Sequence, residues 1–86
     1  MQRYLNKSGD SGIFAYESGN DFIKVRFSSG SIYTYSYRKA GQGNVDAMKR
    51  LAVSGSGLNS YINSNVKFKY DWYGEALWSF NQSNKK

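Results

Sequence analysis

Apolar and polar residues alternate regularly in two neighbouring stretches of the chain, which together indicate a β-hairpin. In the first stretch, Phe22–Phe27, the alternate apolar side chains are Ile23, Val25 and Phe27. The second stretch, Ser31–Tyr37, carries Tyr33, Tyr35 and Tyr37 at alternate positions. A period of two places such residues on one face of a strand. A shorter run, Ile13–Tyr16, predicts a further strand ahead of the hairpin.

The apolar period lengthens after the tyrosines and predicts one or two short helices. A basic loop over residues 38–44 comes first. We expect Asn44 to cap a helix with Asp46 in its first turn, and Gly55 to end that helix. Ser56 is expected to begin a second helix with Leu58 and Ile62 on its apolar face. Residues 63–70 fit either an extension of that helix or a strand.

These elements predict one small α+β domain over residues 1–86, an antiparallel β-meander closed by one or two short helices. Within it we expect an irregular leader at 1–12, a core at 13–70 and an aromatic extension at 71–86. A chain of this size buries only about 60% of its unfolded surface. Aromatic residues make up 17% of the chain, so rings must supply much of the core.

The hairpin register decides which way the tyrosines point, because a slip of one residue exchanges the two faces of a strand. If the turn is the two-residue Ser29-Gly30, Arg26 lies opposite Tyr33 and Lys24 lies opposite Tyr35. The rings then join the cations on an exposed plate, which could stack the bases of a single-stranded nucleic acid.

If the turn is the three-residue Ser28–Gly30, with glycine in the left-handed conformation, Val25 lies opposite Tyr33 and Ile23 opposite Tyr35. The tyrosines then join the apolar face and become core residues. This register puts the bulky side chains inside and the small polar ones outside. Serine-glycine is also a weaker two-residue turn than asparagine-glycine. The pattern therefore favours the three-residue turn.

The composition removes most catalytic and metal chemistry. The chain has no cysteine and no histidine, and so has no thiol nucleophile, no imidazole base and neither of the usual zinc ligands. Its six acidic residues are scattered, without the spacing of a catalytic carboxylate pair or a calcium loop. We therefore expect a protein that is not an enzyme and that needs no cofactor or metal.

Positive charge is concentrated in the middle of the chain. The formal net charge is +6, and residues 22–50 hold six cations against the single acid Asp46. Those cations are Lys24, Arg26, Arg38, Lys39, Lys49 and Arg50. Lys24 and Arg26 face outward in both registers, so up to six cations could share one surface. Such a surface would attract a polyanion.

Two stretches of the chain resemble the KTSC domain, a family named for its occurrence at the C-terminus of some lysyl-tRNA synthetases and also found as small free-standing bacterial and phage proteins. The likeness spans residues 13–70. It rests on Tyr33 and Tyr35 after a glycine-bearing turn, and on a later run of family positions at Gly55, Leu58, Asn59 and Ile62. The chain departs from the family in having no proline after the tyrosine strand. The resemblance implies an association with RNA.

The leading hypothesis is therefore a small nucleic-acid-binding module for RNA or single-stranded DNA. The six cations would contact phosphates, and Tyr37, with Tyr33 and Tyr35, would stack bases. The alternative is a protein-interaction module, such as a phage- or mobile-element-encoded inhibitor or adaptor. Its anchors would be Trp72, Tyr73 and Trp78, residue types typical of binding hot spots.

Those three C-terminal rings also fit a simpler role, as a lid over one end of the sheet. No apolar run is long enough to span a membrane, and the first residues lack the apolar core of a signal peptide. We therefore expect a cytoplasmic protein without a membrane partner.

Overall fold

A five-stranded antiparallel sheet, with strands in chain order, forms the framework of the structure. The computed structural model describes residues 1–7, 9 and 12–75. The strands are β1 (Gln2–Arg3), β2 (Ile13–Ser18), β3 (Phe22–Phe27), β4 (Ser31–Ser36) and β5 (Trp72–Glu75). The helices of the described part follow β4: α1 (Tyr37–Ala40), α2 (Gln42–Ser54), α3 (Leu58–Tyr61) and a π-helical segment, Ile62–Val66, that continues α3. The predicted α+β class and meander are confirmed.

The β3–β4 hairpin adopts the register of the three-residue turn. Val25 lies opposite Tyr33 and Ile23 lies opposite Tyr35. Gly30 has a φ of +100°, a conformation that a residue with a Cβ adopts only at a cost, and its N–H donates to the Phe27 carbonyl at 2.9 Å. Tyr33 and Tyr35 therefore point to the same face as Ile23 and Val25, as the sequence pattern favoured.

A second layer, built from the helices, covers one face of the sheet. Ile23, Val25 and Tyr35 from this inner face join Val45, Met48 and Ala52 of α2 in the core. Leu58, Ile62 and Val66 complete it from α3 and the π segment. The opposite, outer face has no helix over it within residues 1–7, 9 and 12–75, and carries Phe22, Lys24 and Arg26 of β3.

The first predicted helix begins at a different residue from the one expected, but it ends at the expected residue. The predicted basic loop contains α1, whose cap is Ser36: the Ser36 hydroxyl accepts from the Lys39 N–H at 3.1 Å. Asn44 is not a cap, because α2 begins at Gln42. Gly55 does end α2, with a φ of +81° and its N–H directed at the carbonyls of Leu51 and Ala52.

The second predicted helix is present, but Ser56 does not cap it. The residue at the cap position is Gly57, directly before the first helical residue Leu58, so no side chain caps this helix. Residues 63–66 are helical rather than extended, because the π segment continues α3 and buries Ile62 and Val66. The helical part is thus longer than the one or two short helices expected from the sequence.

Both ends of the described chain take part in the sheet. The expected irregular leader contains β1, and the buried Tyr4 that follows it accepts a hydrogen bond from the Leu58 N–H at 3.3 Å. At the other end, the Asp71 N–H donates to the Thr34 carbonyl at 2.7 Å. The Asp71 carboxylate accepts from the Ser36 N–H at 3.1 Å. These contacts position β5 beside β4.

Replacing Gly55 with alanine should destabilise the fold. A Cβ at this position would lie 2.7 Å from the Leu5 Cβ, and the φ of +81° is unfavourable for any L side chain. We expect Gly55→Ala to lower the free energy of unfolding by about 2 kcal/mol in urea denaturation. Gly43→Ala is the control: it lies within α2 with nothing within 4 Å of the added Cβ, and should raise stability by up to about 1 kcal/mol. Equal effects of the two changes would contradict this account of Gly55.

Candidate functional site

Lys24 and Arg26 lie on the outer face of the sheet, as expected. Both are half-buried, and they lie opposite Thr34 and Ile32 of β4. Arg50 lies elsewhere. It follows the buried Met48 of α2 by two residues, about 200° around the helix, and is exposed. Because Met48 faces the inner side of the sheet, Arg50 points away from the sheet altogether.

The Lys49 ammonium is hydrogen-bonded within the fold. Its ammonium donates to the Gly19 carbonyl at 2.6 Å and to the Asn20 carbonyl at 3.2 Å. It also lies 5.3 Å from the centre of the Tyr37 ring. The side chain therefore ties α2 to the turn between β2 and β3, and we assign it to the fold.

The six predicted cations do not share one surface, and that expectation is wrong. Lys24 and Arg26 occupy the outer face, Arg50 the far side of the helical layer, and Lys49 the β2–β3 turn. Arg38 and Lys39 are exposed in α1, directly after β4. The cause is the two-layer architecture, in which strand and helix present their polar sides in opposite directions.

The three tyrosines that were predicted to stack bases differ in how deeply they are buried. Tyr35 is only 1% exposed and cannot stack a base. Burial raises its pKa well above the ordinary value, and the neighbouring hydroxyls of Tyr33 and Tyr70 add to this effect. Tyr33 is half-buried on the inner face, and the outer plate of three tyrosines is therefore absent.

Tyr37 follows the last residue of β4 and is engaged by α2. Its hydroxyl donates to an Asp46 carboxylate oxygen at 2.7 Å. This hydrogen bond is the main reason that the pKa of Tyr37 is raised. With Lys49 near its ring as well, Tyr37 serves the contact between α1 and α2, and a stacking role is not supported by its surroundings.

The outer face instead brings together a set of arginines and phenylalanines. The guanidinium carbons of Arg3 and Arg26 lie 4.8 Å and 5.3 Å from the centre of the Phe14 ring. The Lys24 ammonium lies 5.9 Å from the centre of the Phe22 ring. Such distances are typical of cation–π contacts. We call these five residues (Arg3, Phe14, Phe22, Lys24 and Arg26) the outer cluster.

A β-bulge in β2 forms the centre of the outer cluster. Ile13 pairs with Phe27 and Ala15 with Arg26, so Phe14 is the extra residue opposite β3. Arg3 of β1 pairs with Ala15 from the other side. The exposed Phe14 ring thus lies where two arginines from neighbouring strands meet. A bulge re-aims a side chain in this way.

Arg3 and Phe14 were missed by the sequence reasoning. The first twelve residues contain no alternation that marks a strand, so Arg3 had no predicted position. By alternation in the predicted strand, Phe14 would share a face with Tyr16, opposite to that of Ile13. It reaches the outer face only through the bulge, which depends on the pairing with β3 and which no local pattern in the sequence marks.

The electrostatics of the outer face are positive. Over β1 to β4 the outer face carries the cations Arg3, Lys24 and Arg26 and the carboxylate of Glu17, which lies opposite Lys24. Asp71 adds a second acid at the Phe22 end, because its carboxylate accepts from the N–H of Ser36, which lies opposite Phe22. Three cations against two acids still leave a local excess of positive charge. This excess can act on an anion beside rings that offer apolar contact.

The predicted protein-binding anchors fall at the C-terminal end. Trp72 and Tyr73 belong to β5, whose backbone pairs with β4 from Ser31 to Thr34. The beginning of the expected aromatic extension is therefore part of the sheet. Trp78 lies outside the described residues.

Within residues 1–7, 9 and 12–75, no group of three histidine, cysteine, aspartate or glutamate side chains could hold a metal ion. In that same part of the chain, none of the helices has the length and apolar character needed to cross a membrane. The chain matches no family model, no curated protein and no solved structure.

The burial of Tyr35 should make the fold sensitive to alkali. Above its ordinary pKa of 10.0, the unfolded chain releases the phenolic proton that folded Tyr35 retains, so the free energy of unfolding falls as pH rises. Below pH 10 this residue contributes no pH dependence. We expect urea denaturation between pH 8 and pH 11, a range chosen to bracket that pKa, to show a decline that Tyr35→Phe makes shallower. Identical declines in both proteins would contradict the assignment.

Proposed function

We propose that this chain is a small nucleic-acid-binding module that holds a single strand of RNA or DNA across the outer face of its sheet. The observation that carries the proposal is the outer cluster, in which two arginines flank one exposed phenylalanine and a lysine lies beside a second. The role is binding and involves no catalysis.

The cations and the aromatic rings bind different parts of the nucleic-acid strand. Arg3, Lys24 and Arg26 contact phosphates, which supplies most of the affinity without reading the base sequence. Unpaired bases stack on the Phe14 and Phe22 rings or on the arginine planes. In a duplex the base faces are already stacked on each other, so this surface favours a single strand.

The path of the strand is set by the order of residues on the sheet. Phe14 and Arg26 lie towards the β3–β4 turn, whereas Phe22 lies opposite Ser36 at the other end of the same strands. Arg38 and Lys39 follow directly in α1 and are exposed. Lys49, Arg50 and Tyr35 have no part in this site.

Two further features are compatible with this function. The formal net charge of +6 favours association with polyanions in general. The resemblance to the KTSC domain, which stays a prediction, implies a link to RNA through the synthetases that carry that domain. The alternative of a protein-interaction module, with Trp72, Tyr73 and Trp78 as its anchors, stays a prediction, and the binding experiments separate the two.

Charge reversal on the outer face should abolish nucleic-acid binding. We expect Lys24→Glu with Arg26→Glu to remove measurable affinity for single-stranded oligonucleotides in fluorescence anisotropy. For the unchanged protein, the logarithm of the affinity should fall with the logarithm of salt concentration with a slope of about −2, as for three phosphate contacts. Duplexes of the same sequence should bind more weakly.

The matched control reverses Arg50 and Lys69, which are exposed and are not members of the outer cluster. It changes the net charge by the same amount, and should retain most of the affinity if the outer face is the site. Circular dichroism checks that both variants are folded. Equal losses in the two variants would mean that only net charge matters. Negligible binding to every oligonucleotide would favour the protein-interaction alternative.

The stacking role of Phe14 has a separate test. Phe14→Leu keeps an apolar side chain but removes the aromatic face, and we expect it to weaken single-strand binding about tenfold. Because stacking is not ionic, the salt slope should stay unchanged. Val53→Ala, at an exposed apolar position of α2, is the control and should leave the affinity as it is. An altered slope with unaltered affinity at low salt would contradict stacking on Phe14.

A further inference from the structure

A cleft of about 320 Å³ opens on the inner side of the sheet, at the end near the β3–β4 turn. Its walls come from that hairpin and from the segment that follows α3. Its lining includes the rings of Phe27, Tyr33, Tyr35 and Tyr70 and, at the rim, Lys67 and Phe68. The cleft shares no residue with the outer cluster. Its volume is within the range of small-molecule sites.

Aromatic rings in fixed orientations form the wall of the cleft. The Tyr33 ring meets Phe27 edge-to-face, with 5.5 Å between ring centres and 82° between planes. It meets Tyr70 in the same manner at 4.8 Å. Tyr35 lies nearly parallel to it at 6.4 Å. These contacts hold Tyr33 in place before any ligand arrives, which reduces the entropic cost of binding.

The rim of the cleft carries an exposed aromatic ring and an ammonium group beside it, from Phe68 and Lys67. Phe68 is 76% exposed, an unusual state for a phenylalanine. The Lys67 ammonium lies 5.4 Å from the centre of its ring. The exposed amide of Asn63 is close by in the lining. Among the described lining residues, Lys67 is the charged one and places a positive charge at the rim.

This combination selects the chemistry of the ligand. Rings on the wall and at the rim favour a flat aromatic group. A lysine at the mouth favours an anion, and Asn63 can both donate to and accept from a heterocycle. An aromatic heterocycle joined to a phosphate satisfies all three requirements.

We propose that the cleft binds one nucleotide, with the base against Tyr33 and Phe68 and the phosphate beside Lys67. The inference does not rest on the outer cluster, because the two sites lie on opposite sides of the sheet. The nucleotide can be a free mononucleotide or the terminal residue of a strand, and these two sources present the same groups to the cleft.

Isothermal titration of the full chain tests the proposal with five probes: adenosine 5′-monophosphate, uridine 5′-monophosphate, adenosine, inorganic phosphate and a 5′-phosphorylated oligoadenylate. We expect the two monophosphates to bind and adenosine and phosphate to bind at least about tenfold more weakly, because each lacks half of the recognition. Equal affinity for the monophosphate and the oligonucleotide identifies a free-nucleotide site. Tighter binding of the oligonucleotide to a chain that carries Lys24→Glu and Arg26→Glu identifies the end of a strand.

Matched variants locate the site. Lys67→Glu should weaken monophosphate binding about tenfold, whereas Lys69→Glu, an exposed lysine outside the lining, should leave it unchanged. Phe68→Ser should weaken adenosine and its monophosphate alike, with Val53→Ser as its control. Both positions are largely exposed, so these variants should fold. The proposal is overturned if no monophosphate binds, if phosphate alone binds as well as the monophosphate, or if Lys67→Glu and Lys69→Glu have the same effect.

Discussion

The turn of the β3–β4 hairpin determines which side chains of the sheet face the core and which face outward. Three residues, Ser28–Gly30, close that turn, and the last of them has a φ of +100°. With this register Ile23, Val25 and Tyr35 face the helices together. A turn one residue shorter would have moved the tyrosines to the outside and left Ile32, Thr34 and Ser36 of β4 to fill the core. Core packing and surface chemistry therefore have the same origin.

That register also explains why the inner face of the sheet is covered and the outer face is accessible. The helical layer lies on the inner face, so the polar side of β3 stays accessible over the described part of the chain. The bulge in β2 then turns Phe14 towards this accessible side, between Arg3 and Arg26. An exposed aromatic ring is poorly hydrated, and two guanidinium groups give it partners that also tolerate water. The two guanidinium groups of the outer cluster therefore stabilise Phe14 at the surface.

Local patterns predicted most of the framework. Alternation in Phe22–Phe27 located β3, the glycine-bearing turn predicted the register, and Gly55 marked the end of α2. The failures concern contacts between residues distant in sequence. Nothing local indicates that β1 would pair with β2, and Arg3 was missed for this reason. The cations were correctly counted, but whether Lys24 and Arg50 share a surface depends on how a helix is laid on a sheet, which no local spacing encodes. Asn44 resembled a cap, yet its side chain donates to the Ala40 carbonyl and accepts from the Tyr61 hydroxyl.

The placement of the helices between β4 and β5 has a consequence for how the chain assembles. Strands β2 to β4 are joined by short turns, so their pairing needs only local closure. Strand β5 pairs with β4 across the whole helical segment, and a long loop must close before that pairing forms. Until then β4 is an unprotected edge, with backbone groups ready to accept any extended segment. Docking of β5 pairs the backbone of β4 and makes β5 itself an edge strand of the described sheet, so the open edge moves from a central strand to a four-residue one.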